Sequence, residues 1–514
     1  MTTRARPQSR PRAESSSIQG IARGGSANLA GSVVTAAAQF ALTIVITRSL
    51  SGAQAGVFFS VTSLFLVAVT IANFGANTGL VYFLSRLRAG QDPWPRRTLL
   101  QVGFLPTSTL SVVLAVALFV LAEPLGQRIA PGSAGLATGF LQTLALVLPL
   151  ASWENLAVSV SRGTGSMRPN VAVSLVGRPL GQLAGVASVL ALGSSASLVW
   201  GWSLPYLPAA AAALWWMRRC LGRSPSAGPH RPRMGRPAFL AFWRFSVARA
   251  LTSILQMAAQ RLDIVLVAAL SSPIDAALYT AATRFVVIGQ MATNALMMAT
   301  QPRMAGAIAR GDLPDVREIY RTTTAWLVAL SWPVYLFLIV FAGTLLEIFG
   351  QGYDRAAGAL ALVALAMLVS TAFGMVDTVL AMSGRQTLNL VNTTIGVALQ
   401  LAIDVALIPH LGVLGAAVGW AVSIVVRNLL GLAMVHVTTG LTPFSRPALA
   451  AMALAVVGFL AVPVVTAAVL PGGGWLAVLV AGFVGAVLYA AGLRRLRGPL
   501  HLLELAGAVR RRRR

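Results

Sequence analysis

About fourteen long apolar stretches fill this chain, and arginines punctuate them unevenly. Each stretch runs to about 20 residues or more, enough for one helix to cross the hydrocarbon core of a bilayer. Inside a bilayer every backbone polar group must find its partner within the protein, so single spans of this length fold as helices. Barrel strands are excluded, because the stretches are too long and lack period-two alternation. With 56% hydrophobic and 11% charged residues, a water-soluble domain is excluded as well. The expected fold is all-α: a polytopic membrane protein of about 14 transmembrane helices, with segments such as 57–84, 196–216 and 276–302 each forming one span.

All forty basic residues are Arg. If the N-terminus is cytoplasmic, only Arg48, Arg128 and Arg355 fall outside. Arg178, Arg249, Arg261, Arg284 and Arg427 fall within spans, and every other Arg lies inside. Arg-rich short loops resist translocation, so the asymmetry predicts cytoplasmic N- and C-termini. The net charge of +26 is therefore assigned to anionic membrane lipids as partners of the Arg-rich loops, and a nucleic-acid partner is rejected. The single cysteine, Cys220, forms no internal disulfide. No His/Cys/Glu cluster has metal-ligand spacing and no phosphate-binding loop signature occurs, so no metal, cofactor or ATP hydrolysis is expected. The external loops are short, which argues against an enzyme with a catalytic acid or His there.

The organisation reads as a disordered tail (1–26), a six-helix lobe (27–216), a basic linker (217–245), a second six-helix lobe (246–440), two additional transmembrane helices (441–493) and a basic tail (494–514). Residues 303–322 read as a surface helix, and 501–509 as a short amphipathic turn at the membrane interface. The lobes look duplicated. Leu50-Ser51 and Leu270-Ser271, Phe59 and Tyr279, Gly201-Trp202 and Gly419-Trp420, and the turns at 165–170 and 384–389 recur at a nearly constant offset. Such repeats place a substrate site at their interface near the midplane.

Polar residues inside the spans mark the candidate site. Arg249, Ser253, Gln256, Gln260 and Asp263 follow steps of three and four, which keeps them on one helical face. The equivalent first span carries Asn28, Ser32, Thr35 and Gln39 with the same steps. Either stripe can line a cavity or join helices by hydrogen bonds. Depth matching predicts that Asp263 pairs with Arg284 and Glu154 with Arg178, and leaves Arg427 without an acidic neighbour. Asp377 and Asp404 are candidate ion-coupling sites. A surplus of guanidinium over carboxylate suits an anionic cargo, because Arg binds phosphate oxygens with two hydrogen bonds.

Several passages then resemble one family. They are I-T-R-S-L-S-G-A-Q-A-G-V-F-F from Ile46, Q-R-L-D-I-V-L-V from Gln260, A-L-Y-T-A-A-T-R-F from Ala277, Gln301-Pro302, L-L-E-I-F-G-Q-G-Y from Leu345 and L-I-P-H-L-G-V-L-G-A-A-V-G-W from Leu407. Together they resemble the polysaccharide-export flippases of the multidrug/oligosaccharidyl-lipid/polysaccharide exporter superfamily, over roughly 27–440. The resemblance implies two six-helix lobes around a central cavity, in the bacterial plasma membrane. It implies a polyprenyl-pyrophosphate-linked oligosaccharide as cargo, with polysaccharide polymerase and glycosyltransferases as partners. Arg48, Gln260, Asp263, Tyr279, Arg284 and Gly415 carry over as family-typical positions. On this reading Arg249, Arg261, Arg284 and Arg427 engage the pyrophosphate, and Gln256, Gln260, Asn28 and Gln39 the sugar. Asp263, Glu154, Arg178, Asp377 and Asp404 are ion-coupling or charge-pair residues. The alternatives are a multidrug antiporter of the same superfamily and a lipid II flippase.

Overall fold

The computed structural model describes residues 12–91, 94–193, 197–222, 235–383, 385–496 and 498, with side chains from Ala27 onward except those at 292, 295, 298, 299, 302 and 386. The chain runs through α1 (Arg12–Ser49), α2 (Gly52–Asn73), α3 (Ala76–Arg88), α4 (Arg96–Val120), α5 (Ala122–Ile129) and α6 (Ala134–Gly163). A π-helical stretch at Asn170–Gly177 leads into α7 (Arg178–Ala191), followed by α8 (Leu198–Ser203) and α9 (Tyr206–Gly222). The second half holds α10 (Arg236–Leu270), α11 (Pro273–Ala309), α12 (Leu313–Val340), α13 (Ala342–Leu346), α14 (Ala357–Ala372), α15 (Val376–Met382), α16 (Gln386–Leu411) and α17 (Val413–Thr439). Then come α18 (Arg446–Val456), α19 (Val462–Val469) and α20 (Gly474–Arg495). No strand occurs among the described residues.

Local chemistry sets the helix ends. Ser51 and Gln54 form a reciprocal capping box at the start of α2, each bond 3.3 Å long, which satisfies two otherwise orphaned amides. Ser272 caps α11 by accepting from the Asp275 amide at 3.1 Å, with Pro273 in the first turn. The segment expected as one span at 57–84 is broken at Phe74 (φ 39°) and Gly75 (φ 75°). A Cβ on Gly75 would stand 2.2 Å from the Ser246 carbonyl oxygen of α10, so this corner needs glycine both for its dihedral and for the close approach.

Twelve helical segments among the described residues are long and apolar enough to cross a membrane. Two of the fourteen expected spans lie outside that number. The 196–216 segment is split between α8 and α9, and α11 carries Arg284, Gln290 and Gln301 among its apolar residues. The expected surface helix at 303–322 is instead the end of α11, a tight turn and the start of α12, with Arg310 paired to Asp315 at 3.1 Å. α1 already begins at Arg12, inside the stretch read as a tail. The middle of the basic linker, 223–234, and the 501–509 turn lie outside the described residues.

α2, α10 and α11 form the centre. α10 packs on α2 and α3 on one side and on α16 on the other, and α11 packs on α2, α12 and α14. The face at which α1 ends is sealed. A Cβ on Gly56 of α2 would stand 1.6 Å from the Pro273 carbonyl oxygen of α11. Arg48 donates through Nε to the Ile348 carbonyl at 2.7 Å. Phe40, Phe285 and Phe349 form a triangle with ring centroids 5.4 to 5.6 Å apart, edge-on or tilted, a favourable arrangement for aromatic quadrupoles. α18 packs on α12 at the rim, and α20 leaves Leu479 and Phe483 68% and 73% exposed, as a lipid-facing helix requires.

Candidate functional site

Two polar cavities lie on opposite sides of α10, in the half of the molecule nearer the face where α1 begins. The first has a volume of about 390 Å³ and is walled by Asn73, Asn77, Asn155, Arg178, Tyr206, Ser253 and Leu66 among others. The second, about 420 Å³, is walled by Gln290, Gln301, Asp377, Asn389, Gln400, Trp420 and Arg427. Gln256 and Gln260 belong to both walls. One turn of α10 thus presents two amides to both chambers. The i, i+4 spacing of these glutamines, with Ser253 one turn before, accounts for it.

Each cavity carries one guanidinium with an acid beside it. Arg178 reaches Glu154 at 3.2 Å, with Glu154 fully buried and the Arg178 side chain 22% exposed. Ser174 donates to the other Glu154 oxygen at 2.8 Å, and the guanidinium lies 5.0 Å over the Tyr206 ring. The pair is therefore desolvated, hydrogen-bonded and stacked, which a buried charge requires. Arg427 meets Asp377 at a loose 3.8 Å, with side chains 31% and 48% exposed to the chamber. Asp377 reaches this position because the expected span breaks at Phe373–Met375, which puts it in the first turn of α15.

The sequence-based site residues fall into three groups. Gln256, Gln260, Arg178, Asp377 and Arg427 line the cavities. Glu154 pairs with Arg178, at the depth the two share. Arg427, expected without an acidic neighbour, has one in Asp377.

A second group sits on α10, α11 and α16, away from the cavity walls. Asp263, 3% exposed, does not pair with Arg284; it accepts the Tyr279 hydroxyl at 2.6 Å and the Ile264 amide at 2.8 Å. Equal depth in two helices does not fix their rotation, and here Tyr279 is the residue that faces Asp263. Arg261 stands within electrostatic range of Asp263, Tyr206 and Arg284. Neither Arg261 nor Arg284 forms an ion pair among the described residues. Asp404, fully buried, has no donor to either carboxyl oxygen among the described residues and lies against Gly419 of α17.

The third group lies outside both walls. Asn28 accepts from the Asn170 amide at 2.8 Å. Thr35 on the same stripe donates to the Leu175 carbonyl at 2.6 Å. The stripe of α1 therefore serves helix packing against the π-helical stretch, which offers spare carbonyls. Gln39 is half-buried and Arg249 exposed, and neither contributes to the cavities.

Sequence reasoning missed Asn73, Asn155, Asn389 and Gln400. The last two had a readable signal, because Asn389, Thr393, Val397 and Gln400 keep steps of four and three on one face of α16. Thr70, Asn73 and Asn77 lie three and four residues apart and line one cavity, but the break at Phe74–Gly75 between them and the approach of Asn155 from α6 depend on tertiary packing. Ser152 donates to Asn73 at 3.0 Å, and Gln400 donates to the Ala259 carbonyl of α10 at 3.2 Å.

Comparison with known proteins places this architecture. No curated protein matches the chain by sequence. Among solved structures, the lipid II flippase MurJ in an inward closed conformation superposes with a TM-score of 0.72, at 11% identity, over 93% of this chain and 99% of that one. An inward-facing multidrug resistance MATE transporter of the MOP superfamily gives a TM-score of 0.63 at 16% identity, over 79% of this chain and 95% of that one. A MOP-superfamily transporter from Pyrococcus furiosus gives 0.56 at 15% identity, over 82% and 95%. At such identities the likeness carries the fold. A model of the polysaccharide biosynthesis protein family matches residues 45–358. With a multi-pass helical fold shared with MOP-superfamily transporters, this chain belongs to the polysaccharide biosynthesis protein family.

Proposed function

We propose that the protein is a flippase that carries a polyprenyl-pyrophosphate-linked oligosaccharide from the inner to the outer leaflet of the bacterial plasma membrane, by alternating access, for cell-surface polysaccharide assembly. The observation that supports this reading best is the pair of polar chambers sharing Gln256 and Gln260, each with a guanidinium in its wall. Amides and hydroxyls suit sugar hydroxyls, and guanidinium suits pyrophosphate oxygens. The chambers lie toward the Arg-rich face and the opposite face is sealed by α2 on α11, so the sugar head enters from the cytoplasm. Arg427 and Arg178 meet the anion first. Arg261 and Arg284, on α10 and α11, meet it as the halves separate.

Asp404 and Asp263 supply a candidate coupling site. A fully buried carboxyl without a donor takes up a proton or a cation, because an isolated charge in an apolar core is prohibitively costly. Transport requires that the cargo or ion favour one state of the protein over the other.

The test is reconstitution into vesicles with a fluorescent polyprenyl-pyrophosphate-linked sugar in the inner leaflet. Protein-dependent appearance of the sugar on the outer leaflet, lost in Gln256→Ala/Gln260→Ala, supports the flippase. Uptake or efflux of cationic drugs without lipid movement assigns the chain to multidrug antiport instead.

A further inference from the structure

A third cavity, of about 740 Å³, lies on the outer flank of the first half, between α7 and α8–α9. Its walls are apolar almost throughout. Gly177, Gly181 and Ser188 form one side, Pro205, Pro208 and Ala212 the other. On α7, Gly181, Gly185 and Ser188 follow steps of four and three and so share one face, and Gly177 ends the π-helical stretch just before it. Small side chains there let the two helices meet at Gly185 and Gly201, where a Cβ on Gly185 would stand 2.2 Å from the Gly201 carbonyl oxygen, and leave a trough along the line of contact. From Gly177 to Val189 the trough runs about 18 Å at the helical rise per residue, a little more than the thickness of one leaflet's hydrocarbon.

One residue belongs both to this trough and to the polar chamber inside the first half: Arg178. Two of its three sides are occupied, by Glu154 at 3.2 Å and by the Tyr206 ring. Its Nε has no hydrogen-bond partner among the described residues. With 22% of its side chain exposed, this guanidinium stands where the polar chamber and the apolar channel meet. An amphiphile with an anionic joint fits that junction: polar head in the chamber, phosphate at the guanidinium, hydrocarbon in the trough.

We infer that the α7–α9 trough is the seat of the isoprenoid chain of a polyprenyl-phosphate lipid whose head occupies the first chamber, with Arg178 at the phosphate. This rests on the flippase reading and adds to it the path of the tail. The chain lies along α7 while the head is inside, so it never crosses the polar chamber. Ordinary phospholipid carries two chains and a head too small to span the chamber, and competes poorly for the site.

The experiment uses the full-length protein in vesicles with a radiolabelled polyprenyl-pyrophosphate-linked disaccharide. A benzophenone amino acid is placed at Ser188, at Ala212 or, as a reference on the lipid-facing rim, at Phe483. All three side chains are at least partly exposed. Labelling at 188 and 212 should exceed that at 483 by tenfold or more and survive excess phosphatidylglycerol. Ser188→Trp/Ala212→Trp, which fills the trough, should lower flipping tenfold while monodispersity in detergent stays unchanged. Equal labelling at all three positions, displacement by phosphatidylglycerol, or unimpaired flipping by the filled variant each overturns the trough while leaving the flippase reading intact. Absence of flipping and of labelling in every protein, wild type included, defeats the flippase reading itself.

Discussion

At the scale of single residues, two Arg–acid pairs of the same kind do different work. The Arg178–Glu154 pair has a fully buried acid that Ser174 also bonds, and only 22% of the Arg178 side chain is exposed. Removing one partner of such a pair strands the other, so Glu154→Leu should cost about 3 kcal/mol of stability and lower the thermal midpoint in detergent. Adding Arg178→Leu should recover most of that loss, and failure to recover would show that the pair is not what holds α6 to α7. Arg427–Asp377 is long and wet, and exposed pairs contribute little. Arg427→Ala should therefore leave the thermal midpoint unchanged but slow transport tenfold or more, and Arg427→Lys should restore only part, since the bidentate fork is lost. A drop in midpoint with transport intact would reverse that assignment. Asp404→Asn should fold normally, because an amide fits where the carboxyl has no donor, and its transport should lose dependence on an imposed ion gradient. These contacts are partly legible in the sequence. Equal depth finds the Glu154–Arg178 pair, whereas the same argument fails for Asp263 and Arg284, because depth does not determine which way a helix face turns.

At the scale of elements, α10 is the partition and α2 its bearing surface. The polar stripe of α10 is visible in the sequence because it repeats at helical spacing in an otherwise apolar run, and its Gln256 and Gln260 face the chambers. The stripe of α1 has the same spacing and the opposite outcome. Its Asn28 and Thr35 bond to residues of the neighbouring π-helical stretch, and nothing in a single sequence separates a stripe that faces water from one that faces a helix. The seal at the far face rests on close packing and on Arg48, which bridges the end of α1 to the Ile348 carbonyl. Arg48→Ala removes the charge-assisted hydrogen bonds to the Ile348 and Glu347 carbonyls at an exposed site, together worth roughly 1 kcal/mol. It should move the protein toward the state open at that face by about fivefold. The check is thiol labelling of a cysteine introduced near Gly56 in a Cys220→Ser background, and unchanged labelling would remove Arg48 from the latch.

At the scale of the whole molecule, polar chambers lie on both sides of α10, with an asymmetry between the two halves of the chain. Gly185 and Gly201 meet in the first half, and Asp404 and Gly419 meet at the matching positions of the second. One half thus holds a buried acid where the other holds a bare backbone contact. That asymmetry suits a division of labour, with the ion in the second half and the lipid tail along the first. The hydropathy and Arg distribution make the helical membrane fold readable from sequence, while the breaks at Phe74–Gly75 and Leu204–Pro205 and the burial of Asp404 depend on tertiary contacts. Alternating access requires the far-face seal to open in every cycle. Gly52 and Ile274 meet in that seal: a Cβ on Gly52 would stand 4.0 Å from the Ile274 Cβ, inside the range that a disulfide bridges. The most direct measurement is lipid flipping by Gly52→Cys/Ile274→Cys/Cys220→Ser in vesicles, before and after oxidation. Flipping should stop when the disulfide forms and return when it is reduced; undiminished flipping by fully oxidised protein would contradict the account.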